Sequence, residues 1–401
     1  MSQKIKKLPL KRNATGQAIL LTTLALMALG VVMVHSALAS VARPGAWYAR
    51  VDVRHTAFAV LAFTLLLILW RIDYHVLNWG KALPWLPAAA LVASLILAAL
   101  VFHPALGHEV GGKYRWIRIG PDKYSIGLQP SELVKLSLVV FLAAWLTRES
   151  VDVRRMRRAF LPAGAIIAVC TLLVMTQDFG TAILIGVSSV VTLLLAGVPV
   201  WHVLLMVPPA GAAFWAFVVQ NPARWQRIAA MFDPWSQSNP SAFQARQSLM
   251  AILSGGWWGR GPGNGFRKLG YLPEDSTDFI FAVYCEEWGF VGAMLLLGLI
   301  FLWIFSVRRA ALRGPDRLGC VLAGSLGFVI AFQAVLHVAV DLVAAPPTGM
   351  GLPFVSAGGT ALVNLAAATA VIVSVSARSR ASDIALRDRE NAASVSAAEA
   401  A

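Results

Sequence analysis

Charge is what this 401-residue chain has least of. Asp, Glu, Lys and Arg make up 13% of it, apolar residues 58%, and mean hydropathy is +0.68. That balance excludes an ordinary soluble globular domain. Acids are scarcer than bases, 20 against 34, for a formal charge of +14. A basic excess of this size raises nucleic acid as a partner, but the Lys and Arg residues are scattered through short loops between apolar runs. Membrane proteins keep such loops on the cytoplasmic side through their Lys and Arg, so nucleic acid is set aside. Cysteine is nearly missing: Cys170, Cys285 and Cys320 each lie in apolar surroundings, which excludes a disulfide or metal framework. No cleavable signal peptide is evident, because the first apolar run, about 18–38, is a full span with no clear cleavage site after it.

Apolar runs are what the chain has in plenty. Stretches of about 20 such residues, enough to cross roughly 30 Å of hydrocarbon, recur throughout. They predict an all-α polytopic membrane protein of about ten transmembrane helices, at about 18–38, 54–70, 84–103, 131–147, 159–175, 179–197, 201–219, 279–306, 318–345 and 357–377. An even count puts both termini on one side, and Lys4, Lys6, Lys7, Lys11 and Arg12 make that side the cytoplasm. Residues 1–17 are then a basic cytoplasmic tail, 18–377 the membrane domain, and 378–401 a cytoplasmic tail whose Ala/Ser-rich end is disordered by composition. Between the fifth and sixth helices TQDFG is too short for a loop, and Asp178 stands where it can cap the sixth.

Two loops predicted outside carry cations against the positive-inside bias. Loop 104–130 holds Lys113, Arg115, Arg118 and Lys123, and the large extracytoplasmic loop 220–278, between helices 7 and 8, holds Arg224, Arg227, Arg246, Arg260, Arg267 and Lys268. An anionic ligand accounts for them; pairing with lipid phosphates or with Glu109, Asp122 and Asp233 is the plainer alternative. Loop 220–278 is also too long for a simple connector. Within it, 241–254 spaces Phe243, Leu249, Met250 and Leu253 as an amphipathic helix that lies at the interface or dips into the membrane. The glycine-rich run 255–265 can bend sharply and approach a ligand closely.

The stretch 267–290 gathers carboxylates at the start of an apolar run. Glu274, Asp275 and Asp278 lie at its mouth, with Glu286 and Glu287 about two turns deeper. Carboxylates so placed are costly to desolvate, so they pair, line a wet cavity or do chemistry. A simple helix cap, with Thr277 or Asp278 accepting backbone N–H bonds, is the bland reading.

Several longer motifs occur in order: RWIRIGP (115–121), LQPSELVKLSLV (128–139), QDFGTA (177–182), RIAAMFDPW (227–235), QSLMAILSGGWWGRGPGNG (247–265), KLGYLPEDSTDFIFAVYCEEWGFVG (268–292) and LPFVSAGGT (352–360). Over about 110–375 the chain resembles the SEDS family (shape, elongation, division and sporulation), whose FtsW and RodA members polymerise peptidoglycan from lipid II. The KLGYLPE and DPW forms and the basic tail are closer to the FtsW branch. The chain departs from the family pattern in three places. Ser276-Thr277-Asp278 stands where His-Thr-Asp is usual, and Ser356-Ala357-Gly358-Gly359 where Ser-Tyr-Gly-Gly is usual. His337 replaces a common Asn, one turn before an unusual Asp341, and an i, i+4 pair between the two would be a local compensation.

The resemblance implies glycosyl transfer at the outer face of the cytoplasmic (inner) membrane. A sugar hydroxyl attacks the anomeric carbon of a second lipid-linked disaccharide and releases a polyprenyl pyrophosphate. Glycosidases pair a carboxylate with an acid that protonates the leaving oxygen; pyrophosphate needs neutralising cations more than a proton. One general base and several cations therefore suffice. By resemblance Asp278 is that base, with Glu274 and Asp275 in reserve. Arg115, Lys123, Arg224, Arg246, Arg267 and Lys268 are the pool for the pyrophosphate clamp. Trp116 is placed to stack on a sugar, or to join an interfacial belt. Glu132 and Lys135 are expected to form structural ion pairs, with each other or with Glu286 and Glu287. No His/Asp/Glu set has metal-ligand spacing, although Mg2+ or Mn2+ could assist. The implied partners are lipid II, a class B penicillin-binding protein, other divisome proteins and membrane lipids. The alternatives are a lipid II flippase, an elongation polymerase of the RodA type, and a division scaffold.

Overall fold

Proline marks where helices begin. Six of them carry Pro in the first turn, where its missing N–H has no intrahelical partner to lose. Two of the six follow an Asn whose side chain accepts a backbone N–H: Asn221 from Arg224 at 3.3 Å and Asn239 from Ser241 at 2.9 Å. The computed structural model describes residues 13–39, 50–78, 84–103, 106–110, 113–119 and 126–378. Most of the two tails and Lys123 lie outside the described residues.

The chain runs α1 (Ala14–Ala39), α2 (Val51–Leu69), α3 (Leu86–Leu100), strands β1 (Gly107–Val110), β2 (Lys113–Ile119) and β3 (Ile126–Leu128), α4 (Pro130–Leu146), α5 (Leu161–Gln177) and α6 (Phe179–Leu195). It continues with α7 (Val200–Leu204), α8 (Val207–Phe214), α9 (Pro222–Phe232), α10 (Pro240–Ser254), α11 (Ile280–Leu312), α12 (Arg317–Asp341) and α13 (Gly359–Arg378). Seven helical segments among the described residues are long and apolar enough to cross a membrane, α7 and α8 counting as one segment, Val200–Val219. Helices α3 and α6 are apolar but shorter, and the 17 residues of α4 include Glu132 and Lys135. The chain is thus a multi-pass helical membrane protein.

Three local outcomes differ from the pattern expected of the sequence. Loop 104–130 holds a three-stranded antiparallel sheet in the order β1-β2-β3, with Glu109 opposite Tyr114 and Ile117 opposite Leu128. The alternation in KYRWIRI, with its aromatic and β-branched residues, suits a strand. The ninth helix stops at Asp341 rather than near 345, because Val343 takes φ 57 and turns the chain. Finally, α11 is broken at Gly289 (φ 66, ψ −167).

Helix α11 packs most extensively on α1 and α12, and α12 in turn on α6 and α4. Trp303 is buried there, its Nε1 donating to Thr23 Oγ1 at 3.0 Å. Residues of β2, the start of α6, α9, α10 and the loop 343–358 all line one cavity.

Candidate active site

The segment entering α11 ends in a tight turn. Glu274 takes φ 57, and its carbonyl accepts from the amides of Thr277, Asp278 and Phe279 at 3.2, 3.0 and 3.2 Å. Thr277 Oγ1 donates to Glu274 Oε2 at 3.0 Å. No side chain of the turn caps α11, so neither Thr277 nor Asp278 plays the capping role. No donor among the described residues hydrogen-bonds the Asp278 carboxylate, and this half-buried group is left facing a cavity of about 490 Å³.

The loop 343–358 closes over that turn through backbone and hydroxyl groups. Ser356 Oγ donates to Thr277 O at 2.7 Å and accepts from Leu352 N at 2.6 Å, and Ala357 N donates to Ser276 O at 2.9 Å. Two of the departures from the family pattern, Ser276 and Ala357, therefore meet through main-chain atoms. Gly349 lies between the key charges: a Cβ there would stand 3.7 Å from an Arg115 guanidinium nitrogen and 3.7 Å from Asp278 Oδ2.

Arg115 projects from β2. Its Nε donates to Gln177 O at 3.0 Å, and Nη1 lies 3.9 Å from Asp178 Oδ2. Asp178 caps α6, accepting from Thr181 N at 3.3 Å and Thr181 Oγ1 at 3.1 Å, as its position in TQDFG predicts. Opposite, α9 brings Arg227 to the cavity wall, with no carboxylate within ion-pair distance among the described residues. Trp116, Glu274 and Gln244 also line the cavity. Burial, with the negative charges of Glu274 and Asp178, pushes the Asp278 carboxyl up to about 7, against the opposite pull of Arg115 and Arg227. A base poised near neutrality, unbonded and flanked by guanidinium groups, can take a proton from a hydroxyl whose partner is an anion.

The cavity floor is a satisfied network. Lys135 Nζ donates to Glu132 Oε2 at 2.6 Å and to Gln333 Oε1 at 2.8 Å, and Gln333 Nε2 donates to Gly351 O at 2.9 Å. Glu132 and Lys135 pair with each other, the first of the two arrangements expected, and they hold the site loop from below.

The family model described as a cell cycle protein, grouping FtsW, RodA and SpoVE, matches residues 17–381. The chain belongs to this family. It is 36% identical to the probable peptidoglycan glycosyltransferase FtsW of Nitrosococcus halophilus over 90% of this chain and 92% of that one. It is 32% identical to the stage V sporulation protein E of Bacillus subtilis over 92% and 99%. Among solved structures it is similar to a peptidoglycan synthase complex studied for the coordination of polymerization and crosslinking (TM-score 0.69, 26% identity, 90% and 97% covered). It is likewise similar to the rod shape determining protein RodA of Thermus thermophilus (TM-score 0.62, 26% identity, 89% and 95% covered).

Against this family frame the candidate residues sort into two places. Asp278, Glu274, Arg115 and Trp116 share the cavity. Arg224 stands beside it with its guanidinium spent on carbonyls, Nη1 to Phe217 O at 3.0 Å and Nη2 to Met175 O at 3.2 Å. Arg246, Arg267 and Lys268 do not line it. Arg246 lies over the Phe243 ring at 5.8 Å, and Arg267 donates to Gln247 Oε1. Lys268 is buried, donating to Glu287 Oε1 at 2.7 Å and to Ser36 Oγ at 2.9 Å. Burial with a carboxylate partner removes Lys268 from the pool that could meet a pyrophosphate.

Glu286 and Glu287 are also structural, but not through Lys135. Glu286 accepts from Phe266 N at 3.0 Å and Arg267 N at 3.1 Å; Glu287 accepts from Gly263 N at 3.0 Å and Ser36 Oγ at 2.7 Å. Together they bind the glycine-rich run onto α11. A Cβ on Gly259 would collide with the Glu287 carbonyl, so this loop approaches the broken helix rather than a ligand. Sequence reasoning left Arg227, Gln244 and Gln333 out of the site. Arg227 carried a usable signal, three residues after Arg224 on one face of α9; the two glutamines carried none.

Proposed function

We propose that the chain is a peptidoglycan glycosyltransferase that joins lipid II units at the outer face of the cytoplasmic membrane. Both termini are then cytoplasmic, and the sheet, α9–α10 and the loop 343–358 are extracytoplasmic. The observation that carries the reading is the Asp278 carboxylate, without a hydrogen-bond donor among the described residues, facing Arg115 and Arg227 across one cavity. Asp278 takes the proton of the acceptor sugar hydroxyl. The oxygen then forms its bond to the anomeric carbon of the donor, and the bond from that carbon to the pyrophosphate oxygen breaks. Arg115 and Arg227 hold the departing negative charge, with Arg224 adding a third positive charge at the rim. Trp116 offers a stacking face to a sugar.

A second cleft, almost wholly apolar and about 800 Å³, lies between α5, α6 and α8. It shares the first turn of α6 with the polar cavity: Phe179 and Ala182 line one, Thr181 the other. That adjacency suits a substrate with an anionic head and a long polyprenyl tail. Mg2+ or Mn2+ belongs to this reading only as a companion of the pyrophosphate, and a chelator titration of polymerisation tests it.

Similarity to relatives named FtsW supports division rather than elongation, and similarity to a peptidoglycan synthase complex supports a cross-linking partner, a class B penicillin-binding protein. The test is polymerisation of labelled lipid II by the purified chain, with and without that partner. Glycan strands lost in Asp278→Asn support the reading. Lipid II translocation without glycan product would replace it with the flippase.

A further inference from the structure

Two buried residues one turn apart on α12, His337 and Asp341, are both fully enclosed and absent from the mechanism above. Each holds a different side of the site. Asp341 Oδ2 accepts from Ala282 N at 2.9 Å, in the first turn of α11 and four residues after Asp278. The turn around Asp278 supplies no cap of its own, so the cap of this helix arrives from across the bundle. His337 Nδ1 bonds Met350 O at 2.9 Å. Since a carbonyl only accepts, Nδ1 carries the proton. Met350 follows Gly349, the residue wedged between Arg115 and Asp278. The two side chains then face one another, His337 Nε2 standing 3.6 Å from Asp341 Oδ2. A third tie comes from α10, where Ser248 Oγ donates to Asp341 O at 2.7 Å.

We infer that His337 and Asp341 act as one positioning unit that fixes the spacing between the Asp278 carboxylate and the cavity-lining segment Thr348–Gly351. This inference rests on the glycosyltransferase reading for its kinetic consequence, though not for its structural one. Neither residue touches substrate. Both act by holding backbone: Asp341 the helix start that carries Asp278, His337 the loop that carries Gly349. The alternative, that the pair only fills the core, predicts lost stability with an unaltered site. Reacting groups displaced by about 1 Å can lose on the order of 10²-fold in rate, so a unit of this kind should be visible in kcat.

The experiment uses the full-length protein in detergent or nanodiscs and reads amide hydrogen exchange and lipid II polymerisation from the same preparations. His337→Ala should speed exchange in 347–352, and Asp341→Ala in 280–283, each about tenfold or more. Both should lower kcat roughly 10- to 100-fold while KM changes less than threefold. Asp341→Asn keeps an oxygen in place for Ala282 N–H, so it should return exchange in 280–283 and kcat to within about threefold of the parent. It also serves as the folded control if Asp341→Ala does not express. Unchanged exchange in both segments would overturn the inference, as would faster exchange with a normal kcat. If the parent protein binds lipid II without polymerising it, and the exchange changes still appear, the glycosyltransferase reading fails while the positioning unit stands.

Discussion

Two carboxylate clusters lie within one short stretch, and they behave oppositely. Glu286 and Glu287 are both buried, yet both meet donors: the backbone amides of Gly263, Phe266 and Arg267, Ser36 and Lys268. Asp278 is more accessible and has no hydrogen-bond donor among the described residues. A buried charge is tolerated when its partners are fixed in place; a charge left without partners at a cavity wall is available to a ligand. What sets the two clusters apart is hydrogen-bond satisfaction, not the kind of charge.

The comparison breaks first at Asp278. Replacing it by Asn should cut polymerisation roughly 10²–10⁴-fold, because an amide cannot take the proton. In the parent, the rate should fall as pH drops through about 7, where the raised carboxyl takes up its proton. The stability sign is opposite to that of a paired carboxylate. Between the ordinary Asp value of 3.8 and about 7 the folded state keeps a proton that the unfolded state has released, so stability declines as pH rises through that window. Melting curves of the parent and Asp278→Asn at several pH values check this, and parallel curves would remove the raised carboxyl.

Lys268→Met should do the reverse. Leaving Glu287 buried without its cation costs about 3–5 kcal/mol, read as a lower melting temperature, while activity per folded molecule persists. Next in size comes Arg227→Gln, expected to lower polymerisation by roughly 10²-fold with little change in melting, because in the proposed mechanism this guanidinium neutralises the leaving group, and it has no ion-pair partner among the described residues. The smallest effect sharpens the contrast: Arg246→Gln should shift stability by no more than about 0.5 kcal/mol and leave polymerisation nearly unchanged. A large activity loss there would move the pyrophosphate clamp away from Arg115 and Arg227.

Much of this was legible in the sequence. Apolar runs placed a helix or a broken helix over each expected segment, and Asp178 in TQDFG announced its own capping role. Carboxylates at the mouth of an apolar run marked Asp278 and Glu274. What could not be read was which cations converge. Arg115 and Arg227 lie more than a hundred residues apart and are brought together by β2 and α9, whereas Lys268, ten residues from Asp278, folds away into an ion pair. The strand in KYRWIRI was hidden by its setting between membrane helices, which made a loop the default. The glycine-rich run carried a true signal of close backbone approach, but local composition does not say what approaches.

The break in α11 at Gly289 ties the helix to the loop that precedes it. Where the helix is interrupted, its lost backbone bonds are made by the glycine-rich run: Arg260 N to Glu286 O and Gly261 N to Glu287 O, both at 3.0 Å, then Phe290 N to Gly256 O at 2.9 Å and Val291 N to Trp257 O at 3.2 Å. Unpaired peptide groups in hydrocarbon cost several kcal/mol each. When α11 first enters the bilayer as a separate segment, those groups have no protein partner until residues 256–261 dock against them. Stable insertion of this helix is therefore linked to docking of the preceding loop, whose backbone supplies the partners that the break removes.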